Sequence, residues 1–227
     1  MVDTKDLQIK LGTEFKNTSL LEAAITHRSF LNENRRKKLV HNERLEFLGD
    51  AVLELVVTEH LYKEYSEPEG VLTNWRSALV KTESLSAVAD ILGLSEYLRL
   101  SKGEAKGSAR ARRQISANAV EAVIGAIYLD RGYKAAGNFI SKHILSMLPA
   151  ILKSGAWQDA KTKLQELAQD KEGYTPTYKV LEEEGPDHDK LFTVGVYIGK
   201  ELRGKGSGSS KQAAQQAAAE QGLNKYK

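Results

Sequence analysis

HNERLEFLGDAVL, residues 41–53, sets three carboxylates into an otherwise apolar run. On a helix Glu43, Glu46 and Asp50 stand at i, i+3 and i+7, and Glu46 and Asp50, four apart, share a face. Like charges one turn apart repel, so a packed helix gains nothing from this pattern unless a cation joins it. The donors are oxygens, the chain has no cysteine and no HExxH motif, and such a cluster suits Mg2+ or Mn2+ rather than Zn2+. An ordinary role also stands open for Glu43, an ion pair with Arg44 or Arg76.

The complement lies downstream in ISANAVEAVIG, residues 115–125. The stretch is small and apolar, as a buried helix should be, yet it carries Glu121 with Asn118 one turn before it. A carboxylate in a buried helix is costly unless something pairs with it. If the two helices cross with these faces together, four oxygen-bearing side chains converge. Gly49 and Gly125 would let the backbones approach closely. Such a cluster can activate water for in-line attack on a phosphate. The competing reading makes Asn118 an N-cap ahead of the apolar run, a position where Asn is favoured.

Helical spacing of apolar residues continues outward from these two segments through residues 1–150, in TSLLEAAIT, LTNWRSALVKTESLSAVADILGL and NAVEAVIGAIYLD. Breaks fall at Glu67–Gly70, at the Gly/Lys/Arg stretch 102–113 and at Arg131-Gly132, after which a further helix is expected to end near Pro149. The texture changes at KSGAWQ. One helix around TKLQELAQ is followed by three strand-like runs, TYKVLEEEG, LFTVGVYIG and ELRGKG, and then by the Ala-rich helix KQAAQQAAAEQGL. The expected fold class is therefore two domains: an all-α domain over residues 1–152, a linker at 153–157 and a small α+β domain of order α-β-β-β-α over 158–227. The Gly/Ser run before the last helix reads either as a flexible linker or, preferably, as free backbone N–H groups set against a phosphate.

Composition narrows the classes. No stretch reaches the roughly 18 apolar residues of a membrane span, the first residues lack the apolar core of a signal peptide, and the absence of cysteine excludes a disulfide framework. A cytoplasmic protein with no membrane partner and no organic cofactor is expected. From Gln158 onward 11 basic residues balance 11 acidic ones, so the net charge of +3 lies in the first 157 residues. Two basic clusters stand out there, Arg35, Arg36, Lys37 and Lys38, and the segment holding Lys102, Lys106, Arg110, Arg112 and Arg113. They read as solvated loops or as contacts to a polyanion.

HNERLEFLGDAVL resembles the signature of the ribonuclease III family. THRSF at 26–30, EGVLTNWRSALVKTESLSAVA at 69–89, LSKGEAKG at 100–107 and VEAVIGAIYLDRG at 120–132 resemble that family's nuclease domain in order and spacing. The last 70 or so residues resemble its double-stranded-RNA-binding domain. The resemblance implies a Mg2+-dependent homodimeric endonuclease, with Mn2+ as a possible substitute, that cuts double-stranded RNA such as ribosomal and messenger precursors. One site per subunit would cut one strand each, leaving 5′-phosphate and 3′-hydroxyl ends. It places the catalytic, metal-binding carboxylates on Glu46, Asp50 and Glu121, a supporting acid on Glu43, and an aromatic of the dimer interface on Phe47.

Asn118 departs from the resemblance, because the family's fourth metal position is normally Asp. An amide oxygen still ligates Mg2+ but brings no charge, so an active enzyme needing more Mg2+, or preferring Mn2+, is expected. The departure also keeps a second reading open, a non-catalytic or substrate-trapping dimer that binds duplex RNA. A metalloenzyme acting on small phosphate esters fits the acids but not the RNA-binding tail. In that tail Thr162, Gln165, Glu166 and Gln169 share one helix face and are implied to meet a minor groove, His188 a second one, and Ser209, Ser210 and Lys211 the phosphates. Lys211 is followed by Gln212 and Ala213 where the family carries further basic residues, so weaker and less salt-sensitive RNA binding by this domain is expected.

Overall fold

The computed structural model describes residues 4–34, 39–155, 157, 159–186 and 190–226. The cluster 35–38 and His188 lie outside the described residues. The chain divides into two compact units, Met1–Trp157 and Gln158–Lys227. Among the described residues no helix is long and apolar enough to cross a membrane.

The first unit is helical: α1 (Thr4–Leu11), α2 (Thr18–Ala24), α3 (Arg28–Glu33), α4 (Glu43–Glu64), α5 (Glu69–Val80), α6 (Thr82–Ile91), α7 (Lys102–Ala105), α8 (Ala109–His143) and α9 (Leu148–Ser154). Its centre is the crossing of α4 with α8. Leu45, Gly49, Val52, Leu53, Val56, Val57 and Leu61 recur at three- and four-residue spacing and form the buried face of α4. They meet Val120, Val123, Ile124 and Ile127 of α8, all fully buried. At the crossing there is no room for side chains. A Cβ on Gly49 would lie 1.7 Å from the Glu121 carbonyl oxygen, and one on Gly125 would lie 2.3 Å from that of Leu45. The two glycines thus bring the backbones into contact, and this sets the acidic residues of one helix beside those of the other.

The break read at Arg131-Gly132 is a kink inside α8, where Gly132 takes φ 80°, a conformation open to glycine. The helix does not run on to Pro149. It closes at His143, and Pro149 stands in the first turn of α9, where its missing N–H leaves no bond unmade. Lys153 and Ser154, read as the start of a linker, are the last turn of α9, and Trp157 stacks edge-on against Trp75 of α5 at 5.8 Å between ring centres.

The second unit is α10 (Ala160–Glu172), β1 (Thr177–Glu184), β2 (Leu191–Ile198), β3 (Glu201–Gly208) and α11 (Lys211–Leu223), with the strands in an antiparallel meander of order β1-β2-β3. Leu164 and Ala168 of α10, Val194 and Val196 of β2, and Ala214 and Ala218 of α11 form its core. The Gly/Ser run is not a flexible linker, since its residues 204–208 belong to β3. Gly204, Gly206 and Gly208 are alternate residues of β3 facing α11, and a Cβ on Gly206 would lie 2.1 Å from the Ala218 nitrogen. They are small because α11 rests directly on the strand.

Candidate active site

Asn118 lies well inside α8, whose N-cap is Ser108, so the capping role is excluded. Its side chain reaches across the crossing instead: Nδ2 donates to Glu46 Oε1 at 2.8 Å, while Oδ1 accepts from Gln114 Nε2 at 2.7 Å. Gln114 Oε1 accepts in turn from the Thr82 hydroxyl of α6 at 3.3 Å. Glu46, Asp50, Asn118 and Glu121 therefore come together where α4 meets α8.

The electrostatics are those of an anionic cluster short of cations. Burial, reinforced by Asp50 and Glu46, pushes the Glu121 carboxyl up to about 7. Burial also raises Glu46, as do Glu43 and Asp50, with the Asn118 hydrogen bond acting the other way. Among the described residues no Lys or Arg pairs with Glu46, Asp50 or Glu121. The nearby cations are engaged elsewhere, Arg76 with Glu54 at 2.9 Å and Arg28 with Glu43 at 3.6 Å. Glu43 thus takes neither partner expected for it, since His41, at 3.7 Å, completes its surroundings. No three acidic or histidine side chains among the described residues are drawn into a chelating cage. The fit to a divalent cation is one of chemistry and charge: three carboxylates on one crossing with Asn118 beside them, their negative charge held against its own repulsion.

Phe47 points away from this core and is 80% exposed, as is Tyr62, with Leu55 also open on α4. A hollow of about 790 Å3 beside Phe47 is lined by Leu20, Val40, Leu48 and Leu129. Lys102, Lys106, Arg110, Arg112 and Arg113 are all exposed at the start of α8 and just before it.

In the second unit Thr162, Gln165, Glu166 and Gln169 are all exposed on α10, opposite buried Leu164 and Ala168. Gln169 donates to the Thr175 hydroxyl. Ser209 is exposed beside Ser210, whose hydroxyl accepts from the Ala213 N–H at 3.1 Å and so caps α11. That helix end is less open to an anion than the sequence suggested. Lys211 is ion-paired with Glu183 of β1 at 3.0 Å and lies over the Phe192 ring.

A ribonuclease-III-like family model matches residues 17–148 and a double-stranded RNA binding motif matches residues 160–226. The chain belongs to the ribonuclease III family. "Ribonuclease 3" of Desulforamulus reducens is 45% identical over 214 residues, covering 94% of this chain and 87% of that protein. The protein of the same name from Latilactobacillus sakei is 44% identical, covering 98% and 96%. Among solved structures, the ribonuclease III nuclease domain of Campylobacter jejuni, described for a region involved in dimer formation, superposes with a TM-score of 0.58 at 38% identity, covering 65% of this chain and 99% of that one. The ribonuclease III family is metal-dependent, in keeping with the unpaired acids of the crossing.

Two features of this cluster were not read from the sequence. Gln114 stands four residues before Asn118, a spacing at which amide side chains meet on a helix, so that contact had a signal. Thr82 comes from another helix and had none.

Proposed function

We propose that this protein is a Mg2+-dependent endonuclease of double-stranded RNA, acting as a cytoplasmic homodimer in RNA processing and maturation. The nuclease activity is assigned to the unit Met1–Trp157 and duplex binding to the unit Gln158–Lys227. The observation that carries this reading is the α4–α8 crossing, where Glu121 is held up to about 7 by burial and by two facing carboxylates.

Glu46, Asp50 and Glu121, with the amide oxygen of Asn118, would hold the cation. When bound, Mg2+ or Mn2+ supplies Lewis-acid polarisation of the scissile phosphate and activation of the attacking water. Glu121 has to give up its proton for the site to present its full charge, and near neutral pH it is poised to do so. Asn118 braces Glu46 through its N–H. Glu43, held by Arg28 and His41, supports the cluster from the start of α4.

For the RNA, the hydroxyl and amides of Thr162, Gln165 and Gln169 can both donate and accept, which suits the 2′-hydroxyls of a shallow minor groove, with Glu166 as acceptor beside them. Ser209, Ser210 and Lys211 face the phosphates at the start of α11. Exposed Phe47 and the hollow beside it suit self-association of the nuclease unit, and the Campylobacter nuclease domain, described for a region involved in dimer formation, supports a dimer. Incubation with end-labelled duplex RNA in Mg2+, in Mn2+ and in chelator tests the proposal. Cation-dependent internal cuts with 5′-phosphate ends are expected. Duplex binding without cleavage in either metal would point instead to the non-catalytic dimer that Asn118 leaves open.

A further inference from the structure

We propose that Lys190 and Lys211 are the two arms of one phosphate clamp over the Phe192 ring, and that Glu183 occupies the clamp as an internal competitor until a backbone phosphate of the duplex takes its place. The inference rests on the reading of the second unit as a duplex-RNA binder and adds Lys190, Phe192 and Glu183 to it. The register of the sheet sets the arrangement. Val180 pairs with Val194, and Glu183 pairs with Phe192. Val194 and Phe192, two apart on β2, share a face, whereas residues three apart on a regular β1 would face opposite ways. A bulge between Val180 and Glu182 absorbs the extra residue and turns Glu183 onto the face of Phe192. In an unbulged strand this carboxylate would point to the other side of the sheet.

Two cations from separate elements converge there. Lys190, directly before β2, lies over the Phe192 ring at 5.9 Å, and Lys211, at the start of α11, lies over it at 5.5 Å. Glu183 bridges them, with Oε1 3.0 Å from Lys211 Nζ and Oε2 3.4 Å from Lys190 Nζ. A carboxylate that offers one oxygen to each lysine presents what a phosphodiester presents, one negative charge shared over two oxygens. Lys211, and more weakly Lys190, hold the Glu183 carboxyl below its ordinary value, with desolvation acting the other way. The three side chains keep 34% to 57% of their surface in solvent, and ion pairs so exposed are weak, so a phosphate can displace the carboxylate. The exchange is like for like in charge. Each lysine leaves one anion to reach another, and binding through the clamp gains only the difference.

The test is a double-mutant cycle read by binding of a duplex RNA to the full-length protein in chelator, at several salt concentrations. In the parent, Lys190→Met removes a phosphate contact and an internal ion pair together, so affinity should fall by no more than about twofold. In the Glu183→Gln background only the phosphate contact remains to be lost. There the same substitution should weaken binding about threefold to fivefold and lower the salt slope by about one. Lys211→Met should likewise cost more in Glu183→Gln than in the parent. No effect of Lys190→Met in Glu183→Gln, or the same effect in both backgrounds, overturns the clamp and leaves duplex binding by the unit standing. Failure of the parent to bind duplex RNA at all overturns both.

Discussion

Asn118 donates its amide N–H to Glu46 across the α4–α8 crossing at 2.8 Å, so a neutral donor stands among the carboxylates of the cluster. In the metal-free protein that donor relieves a cluster which burial and like charge already strain.

Asn118→Asp should therefore have opposite effects with and without metal. It replaces a donor to Glu46 with a like charge, so the metal-free protein should melt at lower temperature. It adds a charged ligand, so the Mg2+ concentration for half-maximal cleavage should fall by about fivefold or more, since close charges interact by several kcal/mol at a protein surface. A Mg2+ titration of duplex cleavage checks this. An unchanged Mg2+ dependence would remove Asn118 from the functional site.

The crossing itself is set by Gly49 and Gly125. Gly49→Ala would place a methyl 1.7 Å from the Glu121 carbonyl oxygen, and because that atom is backbone the helices must separate. Overpacking of this kind costs about 3 kcal/mol or more. Gly137→Ala, on α8 with nothing within 4 Å of the added carbon, should instead be neutral or stabilising by about 0.5 kcal/mol. Thermal denaturation of the pair separates close approach from loss of a helical glycine.

Glu121 gives the pH dependence its sign. Its folded pKa, about 7, lies above its ordinary value of 4.5, so the folded state holds the proton more tightly than the unfolded chain does. The metal-free protein should be relatively more stable below pH 4.5 as far as this group is concerned, and should lose that increment as pH rises toward 7. Divalent binding should strengthen over the same window, because the cation competes with the proton. Chemical denaturation across pH 4.5–7.5 in chelator is the check, with the slope flattened in Glu121→Gln.

In the RNA-binding unit Lys211 is shared. Glu183 holds it at 3.0 Å, and a phosphate must compete for it. Glu183→Gln should tighten duplex binding about twofold to threefold at low salt and steepen the salt dependence by up to one phosphate contact. Filter binding of a non-cleaved duplex at several salt concentrations measures both. Equal slopes for the two proteins would show that Lys211 makes no phosphate contact.

Much of this molecule is legible in its sequence, and the gaps have physical reasons. The burial spacing of α4 and the i, i+3 relation of Asn118 to Glu121 are local, and they place the acids on the faces that do meet. The glycines of the crossing were readable because a small residue amid acids and apolar side chains has few other uses there. Partners from elsewhere in the fold were not readable: Arg28 for Glu43, Thr82 for Gln114, Glu183 for Lys211. The linker reading of the Gly/Ser run failed because composition alone does not separate a linker from a strand under a helix. Its period of two at Gly204, Gly206 and Gly208 was the sign of the last. Pro149 was read as a stop although proline also starts helices.

Glu121→Gln tests most directly whether the acids of the α4–α8 crossing cut duplex RNA. Single-turnover cleavage of an end-labelled duplex should be compared with binding of the same duplex in both proteins at saturating Mg2+. Duplex binding within about twofold of the parent is expected, with a cleavage rate lower by about a hundredfold or more, in line with loss of a group that acts on the reacting phosphate. Cleavage by Glu121→Gln at the parental rate, or cleavage by the parent in excess chelator, would contradict that role of the acids.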